Sequence, residues 1–124
     1  MPAGQYDFLI EAGATFRRVL RVSRAGIEPP ERMDLSAWTP RLQIRPHPDS
    51  LDVYLDCRPA NGRIFVAPDS ESGDVPCLIV VDLSDDDTRR MDFTRAVYDV
   101  IITDGTETRR LLQGAVLVDQ DTTK

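Results

Sequence analysis

Tyr98-Asp99-Val100-Ile101-Ile102-Thr103-Asp104-Gly105, followed by Thr108-Arg109-Arg110-Leu111-Leu112-Gln113-Gly114-Ala115-Val116-Leu117-Val118, decides the fold class. Tyr98, Val100 and Ile102 recur at every second position, the period of a half-buried strand. Asp104-Gly105 supplies the positive φ that a hairpin turn needs. Leu112, Val116 and Val118 then return on the partner strand, with Gly114 between them. With those side chains inward, Leu111 and Leu117 face outward, where exposed apolar groups suit a subunit contact. The polar run from Asp119 onward reads as a fraying tail.

The same period recurs upstream. Trp38, Pro40, Leu42 and Ile44 oppose Thr39, Arg41, Gln43 and Arg45. Pro40 lacks a donor, which puts this strand at an edge or makes Pro40 its start. Tyr6, Phe8 and Ile10 oppose Asp7, Leu9 and Glu11 until Gly13 interrupts with a bulge or kink. Phe16, Leu20 and Val22 oppose Arg17, Val19 and Arg21. Ala25-Gly26 and Pro29-Pro30 mark a turn and a loop. Leu51, Val53, Leu55 and Cys57 alternate with Asp52, Tyr54 and Asp56. The turn pair Asn61-Gly62 would fold that strand back onto residues 63–67 as a hairpin. Cys77 to Leu83 is a continuous apolar strand. Ser84-Asp85-Asp86-Asp87 opens a helix of about two turns, since small polar and acidic residues satisfy its free amides.

These elements predict a single all-β domain over residues 1–124. It is an antiparallel β-sandwich of about seven to nine strands with one short helix, and a small β-barrel is the alternative. The expected core holds Phe16, Trp38, Leu42, Ile44, Tyr98, Val100, Ile102, Leu112 and Val116, with Trp38 as its anchor.

Composition narrows the function. A chain of 124 residues supports one core. The formal charge of −6 opposes a phosphate backbone, so no nucleic-acid partner is expected. No apolar run approaches the roughly 20 residues of a spanning helix, so no membrane partner is expected either. Residues 1–8 carry neither the basic nor the apolar region of a secretory signal. Lys124 is the only lysine. An arginine-favouring genome explains that bias, but arginine also suits interfaces, where its planar fork meets carboxylates. Cys57 and Cys77 lie far apart in apolar runs, which predicts buried free thiols, neither a disulfide framework nor a metal knuckle.

Catalytic chemistry finds little support. His47, between Pro46 and Pro48, is the only histidine and reads as a solvated loop residue. Asp82, Ser84 and Asp86 imitate the start of a calcium loop. Asp87 stands where that turn needs glycine, and Phe93 where the loop needs glutamate. No glycine loop cradles a phosphate. We therefore expect no catalytic residues, no metal and no cofactor. Surfaces remain. Arg17, Arg21, Arg41 and Arg45 recur on outward faces and would form a basic stripe for an acidic partner, with Leu111 and Leu117 as its apolar complement.

Residues 98–105, with 108–114 and 116–118, resemble a recurring pattern of small bacteriophage tail and baseplate proteins. The chain is similar to the N-terminal domains of phage baseplate upper proteins and tail-fibre-type proteins. Other stretches agree in order: Gly13 with Thr15-Phe16, Asp34 to Thr39 before Leu42 to Arg45, Asn61-Gly62-Arg63-Ile64, and Leu83 to Arg90. Ala14 and Ala37 depart from that pattern, as does the acidic run Asp85-Asp86-Asp87. The resemblance implies an immunoglobulin-like sandwich that builds or adapts a phage tail or baseplate. Such a subunit is made in the host cytoplasm and carried in the virion. Its expected partners are other tail or baseplate proteins, in a homo-oligomer or a hetero-complex. The alternative is a module that binds carbohydrate or the host surface, for which Tyr54 is the best-placed aromatic.

Overall fold

Alternation in the C-terminal half builds the longest strand pair, and the rest of the chain assembles around it. The computed structural model describes residues 4–23 and 32–120. Nine strands are found among them: β1 (Gly4–Gln5), β2 (Phe8–Glu11), β3 (Phe16–Arg21), β4 (Thr39–Arg45), β5 (Leu55–Cys57), β6 (Ile64–Asp69), β7 (Val75–Leu83), β8 (Arg95–Thr103) and β9 (Thr108–Asp119). One helix, α1 (Asp85–Arg89), precedes β8. The expected turn at Ala25-Gly26, the loop at Pro29-Pro30 and the last four residues lie outside the described residues.

Two sheets face each other. One has six strands in the order β1-β9-β8-β4-β5, with β2 continuing the β1 edge along β9; the other runs β3-β7-β6. In chain order, β3, β7 and β6 take the places of strands B, E and D of an immunoglobulin-like sandwich. Strands β4, β5, β8 and β9 take those of C, C′, F and G. The ladders are antiparallel except at one edge, where β1 and β2 run parallel to β9. That parallel edge departs from the expected wholly antiparallel sandwich.

Phe16, Leu42, Ile44, Tyr98, Val100, Ile102 and Val116 are buried between the sheets, as expected, and Phe8 joins them. Each such side chain contributes roughly 1.5–3 kcal/mol. Trp38 and Leu112 pack against this core only partly buried. Trp38 sits at the rim because Arg109 lies over its ring, 5.2 Å from the centroid. Leu111 was expected outward, yet it also packs against the core. The ladder shifts register between Val100 and Ile101, which pair with Leu112 and Arg110, so Leu111 is the extra residue of a bulge. A bulge breaks strict alternation and lets two successive residues approach one face.

Three other expectations change. The strand through Leu51 and Val53 shrinks to Leu55–Cys57, leaving Leu51 96% exposed. Ser50 Oγ instead accepts from the Asp52 amide at 3.0 Å, and this local turn outcompetes the ladder. Asn61-Gly62 makes no hairpin, because β5 joins β4 while β6 joins β7 in the opposite sheet. Gly62, at φ 74°, caps a 3₁₀ turn that carries the chain across. The helix has five residues, just over one turn, in place of two.

That short helix holds two crossings between the sheets, β2 to β3 and β5 to β6. Gly13, at φ 88°, turns the chain from β2 into β3. The buried Thr88 hydroxyl accepts from the Gly13 amide at 3.0 Å and donates to the Ala14 carbonyl at 2.7 Å. Asp87 meets Arg63, just after Gly62, at 2.8 Å. Ser84 and Asp87 close a capping box at the helix start.

The N-terminal strand is fixed by a close approach. A Cβ at Gly114 would lie 2.0 Å from the Tyr6 carbonyl oxygen. That oxygen accepts from the Tyr98 hydroxyl at 2.5 Å, and the Phe8 ring stacks on Tyr98 at 4.1 Å. Burial pushes the Tyr98 phenol above its ordinary range, so it remains a donor.

Gly114→Ala is expected to destabilise the protein by about 3 kcal/mol in urea unfolding, because the Tyr6 backbone must move. Tyr98→Phe, which removes only the hydroxyl, is expected to cost about 1–2 kcal/mol; equal stability of all three proteins would contradict this account. Burial alone would raise the Asp87 carboxyl, but Arg63 and the Ser84 amide hold it below the usual range. A depressed carboxyl adds stability above its unfolded value that is lost as pH falls through its folded value. Arg63→Gln should therefore cost about 1 kcal/mol at pH 7, and its deficit should shrink as pH falls below the usual carboxylate range.

Candidate functional site

The ladders of the six-stranded sheet set the outward side chains in rows. One row runs Leu9, Leu117, Arg95. The next runs Asp7, Ala115, Val97, Arg45, and a third Gln5, Gln113, Asp99, Gln43, Asp56. Leu9 is 65% exposed, so an apolar column lies open at the parallel edge. Between that edge and β4 the face dips into a groove of about 670 Å³. Its lining is mostly polar, with Arg45, Arg95 and Arg110 against Asp7 and Asp99.

Most charges near this face are already engaged. Asp99 meets Arg110 at 3.4 Å. Asp7 accepts from the Ala115 amide at 2.9 Å. Asp56 is shared by Arg41 at 3.0 Å and Arg58 at 2.6 Å. Burial opposes ionisation of Asp56, and the two arginines still hold its carboxyl below the usual range. Arg45 and Arg95 differ. Among the described residues, neither has a carboxylate partner. Arg45 donates to the Ser50 carbonyl at 3.2 Å and to the Gln43 side-chain oxygen. Its Nε is buried without an acceptor.

The predicted arginine stripe does not form. Arg17 and Arg21 lie on β3 in one sheet, Arg41 and Arg45 on β4 in the other. Three of the four are neutralised locally: Arg17 by Asp82 at 3.6 Å, Arg21 by Asp69 at 2.7 Å, and Arg41 by Asp56. Arg41, Arg45 and Leu117 do share the outer face of the six-stranded sheet. Leu9, Val97 and Arg95 join them there without having been singled out from sequence. Arg95 and Val97 were legible from their odd spacing to Tyr98; Leu9 depended on the parallel pairing.

No family model matches the chain, and no curated protein matches it. A solved structure to which it is similar is the N-terminal Ig1-2 module of the Drosophila receptor protein tyrosine phosphatase DLAR. The likeness covers 95% of this chain and 47% of that one, at 11% identity and a TM-score of 0.46. This chain thus spans about half the length of that module.

Elsewhere, His47 is exposed in the loop after β4. Among the described residues, no three His, Cys, Asp or Glu side chains gather as a metal site. Asp86 pairs with Arg89 and Arg90, and Ser84 caps α1, so the calcium-like spacing serves the helix. No helix among the described residues is long and apolar enough to cross a membrane. Tyr54 is 45% exposed and stacks on Phe93 at 4.4 Å.

Cys57 and Cys77 are free and buried, on β5 and β7 of opposite sheets. Burial pushes the Cys57 thiol up to about 12, and the Cys77 thiol is raised by burial and by Asp69. Thiolates are the reactive form. At pH 8 the folded protein should resist a thiol-labelling disulfide reagent, and both cysteines should react at once in denaturant. Rapid labelling of the native chain would mean that a thiol is open to solvent.

Proposed function

We propose that the chain is a non-enzymatic structural or adaptor subunit of a bacteriophage tail or baseplate, docking through the outer face of its six-stranded sheet. The observation that carries the docking face is the exposed Leu9 beside the half-buried Leu117, next to two arginines that no carboxylate among the described residues neutralises. Interfaces combine apolar contact area with arginine in this way. Five strand positions span roughly 20 Å and the nine-residue β8 roughly 30 Å, with shorter strands at both edges, which approaches one side of a standard interface.

The assignment to a phage particle rests on the resemblance over residues 13–16, 34–45, 61–64, 83–90 and 98–118. Gly62 and Gly105, at positive φ, and the close-packed Gly114 fall within those stretches. Partners are then other tail proteins or further copies of the chain, and the working location is the virion. A second reading, a carbohydrate- or host-surface-binding module, is favoured by Tyr54, whose half-open ring backed by Phe93 offers a stacking platform.

Light scattering of the chain, alone and with neighbouring tail proteins, tests the first reading. A defined oligomer or a stoichiometric complex is expected. Leu9→Asp should weaken it about tenfold or more while leaving the melting temperature nearly unchanged, because Leu9 is exposed. A monomer that ignores every tail protein, with a Tyr54-dependent heat of binding to cell-surface sugars, would establish the second reading in its place.

A further inference from the structure

The corner of the groove between Arg45 and Arg95 is charged, concave and without a counter-ion. Arg45 faces Val97 across the β4–β8 ladder, and Arg95 lies two residues from Val97 on the same face. Diagonal neighbours of this kind sit about 7–8 Å apart at the backbone, close enough for two long side chains to reach one small group. The acids of the groove are already used: Asp99 by Arg110, Asp7 by a backbone amide. The buried Arg45 Nε has no acceptor, and the two other guanidinium nitrogens bond only neutral oxygens. The chain as a whole carries −6, so uncompensated arginines here run against the net charge.

We infer that this corner receives the carboxylate of an Asp or Glu side chain from an acidic segment of a partner protein. The inference rests on the outer face being a docking surface and adds the chemistry of what docks. Guanidinium matches a carboxylate in plane and in hydrogen-bonding geometry. The lining supports a peptide: Gln5 and Gln113 offer amides along the groove that can pair with an extended backbone. The net negative charge disfavours acidic chains over the rest of the surface, which favours the arginine corner as their docking point.

The test uses the full chain and a fluorescein-labelled hexaglutamate peptide, followed by anisotropy at low and high salt. Binding at low salt is expected, and added salt should weaken it. Arg95→Gln should reduce affinity about tenfold. Because Arg95 is exposed and has no ion pair, this variant does not threaten the fold. Arg45→Gln should act in the same direction, while Arg17→Gln, on the opposite sheet, should leave affinity unchanged. The inference is overturned if the wild-type chain does not bind the peptide, or if Arg17→Gln and Arg95→Gln weaken binding equally. It is also overturned if glucuronate perturbs the two arginines and the peptide does not, which would make the groove a sugar site. If the peptide fails while Leu9→Asp still breaks a tail complex, only the carboxylate partner is lost. If the peptide binds at the arginines while every tail protein is ignored, the carboxylate site stands and the phage assignment falls.

Discussion

The Tyr6 carbonyl occupies the space that a side chain at position 114 would fill, and the division of strands between the two sheets depends on it. Tyr98 and Gly114 are opposite one another on β8 and β9. The buried Tyr98 ring brings a hydroxyl that must find an acceptor. Glycine at 114 lets the first strand come close enough for its backbone to be that acceptor. Phe8 then stacks on the same ring, and Asp7 accepts from Ala115. Once residues 4–11 are committed to the β9 edge, they are not available to lie beside β3. One sheet therefore has six strands and the other three, and the outer face of the larger gains Leu9 beside Leu117.

A two-sheet sandwich also needs its crossings held. Helix α1 is far too short to be stable alone. It persists because three positions are tied by hydrogen bonds or an ion pair. Ser84 and Asp87 satisfy its first amides, Asp87 also holds Arg63 after the Gly62 crossing, and Thr88 holds the Gly13 crossing. One turn of helix thus joins two of the points at which the chain changes sheets, β2 to β3 and β5 to β6. The acidic run before β8 that resembled a metal loop is the means of that connection.

Local signals carried the strands well and their partners poorly. Alternation on β4 and β8 placed Leu42, Ile44, Tyr98, Val100 and Ile102 correctly, because a regular strand keeps its parity. The bulge at Leu111 broke parity on β9, and nothing in Leu111-Leu112 marks which leucine is the extra residue. Asn61-Gly62 is compatible with a hairpin and with a left-handed cap alike; only the destination of β6 distinguishes them. The parallel edge joins residues more than a hundred positions apart, beyond any local pattern. For the same reason the outward arginines were legible, but their grouping was not. Whether Arg41 and Arg17 share a face depends on which strands become neighbours.

The arginines separate into two groups once their partners are known. Those beside Asp56, Asp69, Asp82 and Asp87 neutralise acids of the same fold. Pairs of this kind at the surface add little stability, but they leave local charge near zero. Arg45 and Arg95 have no such role. A buried Nε–H without an acceptor lowers stability, typically by about 1–3 kcal/mol. Packing accounts for the stem of Arg45, since a long aliphatic chain can cover apolar surface. It does not account for the charge, which glutamine or methionine would omit. Among the described residues the fold leaves Arg45 and Arg95 without a carboxylate beside the groove, and a carboxylate docked there would complement the charge that the domain itself does not.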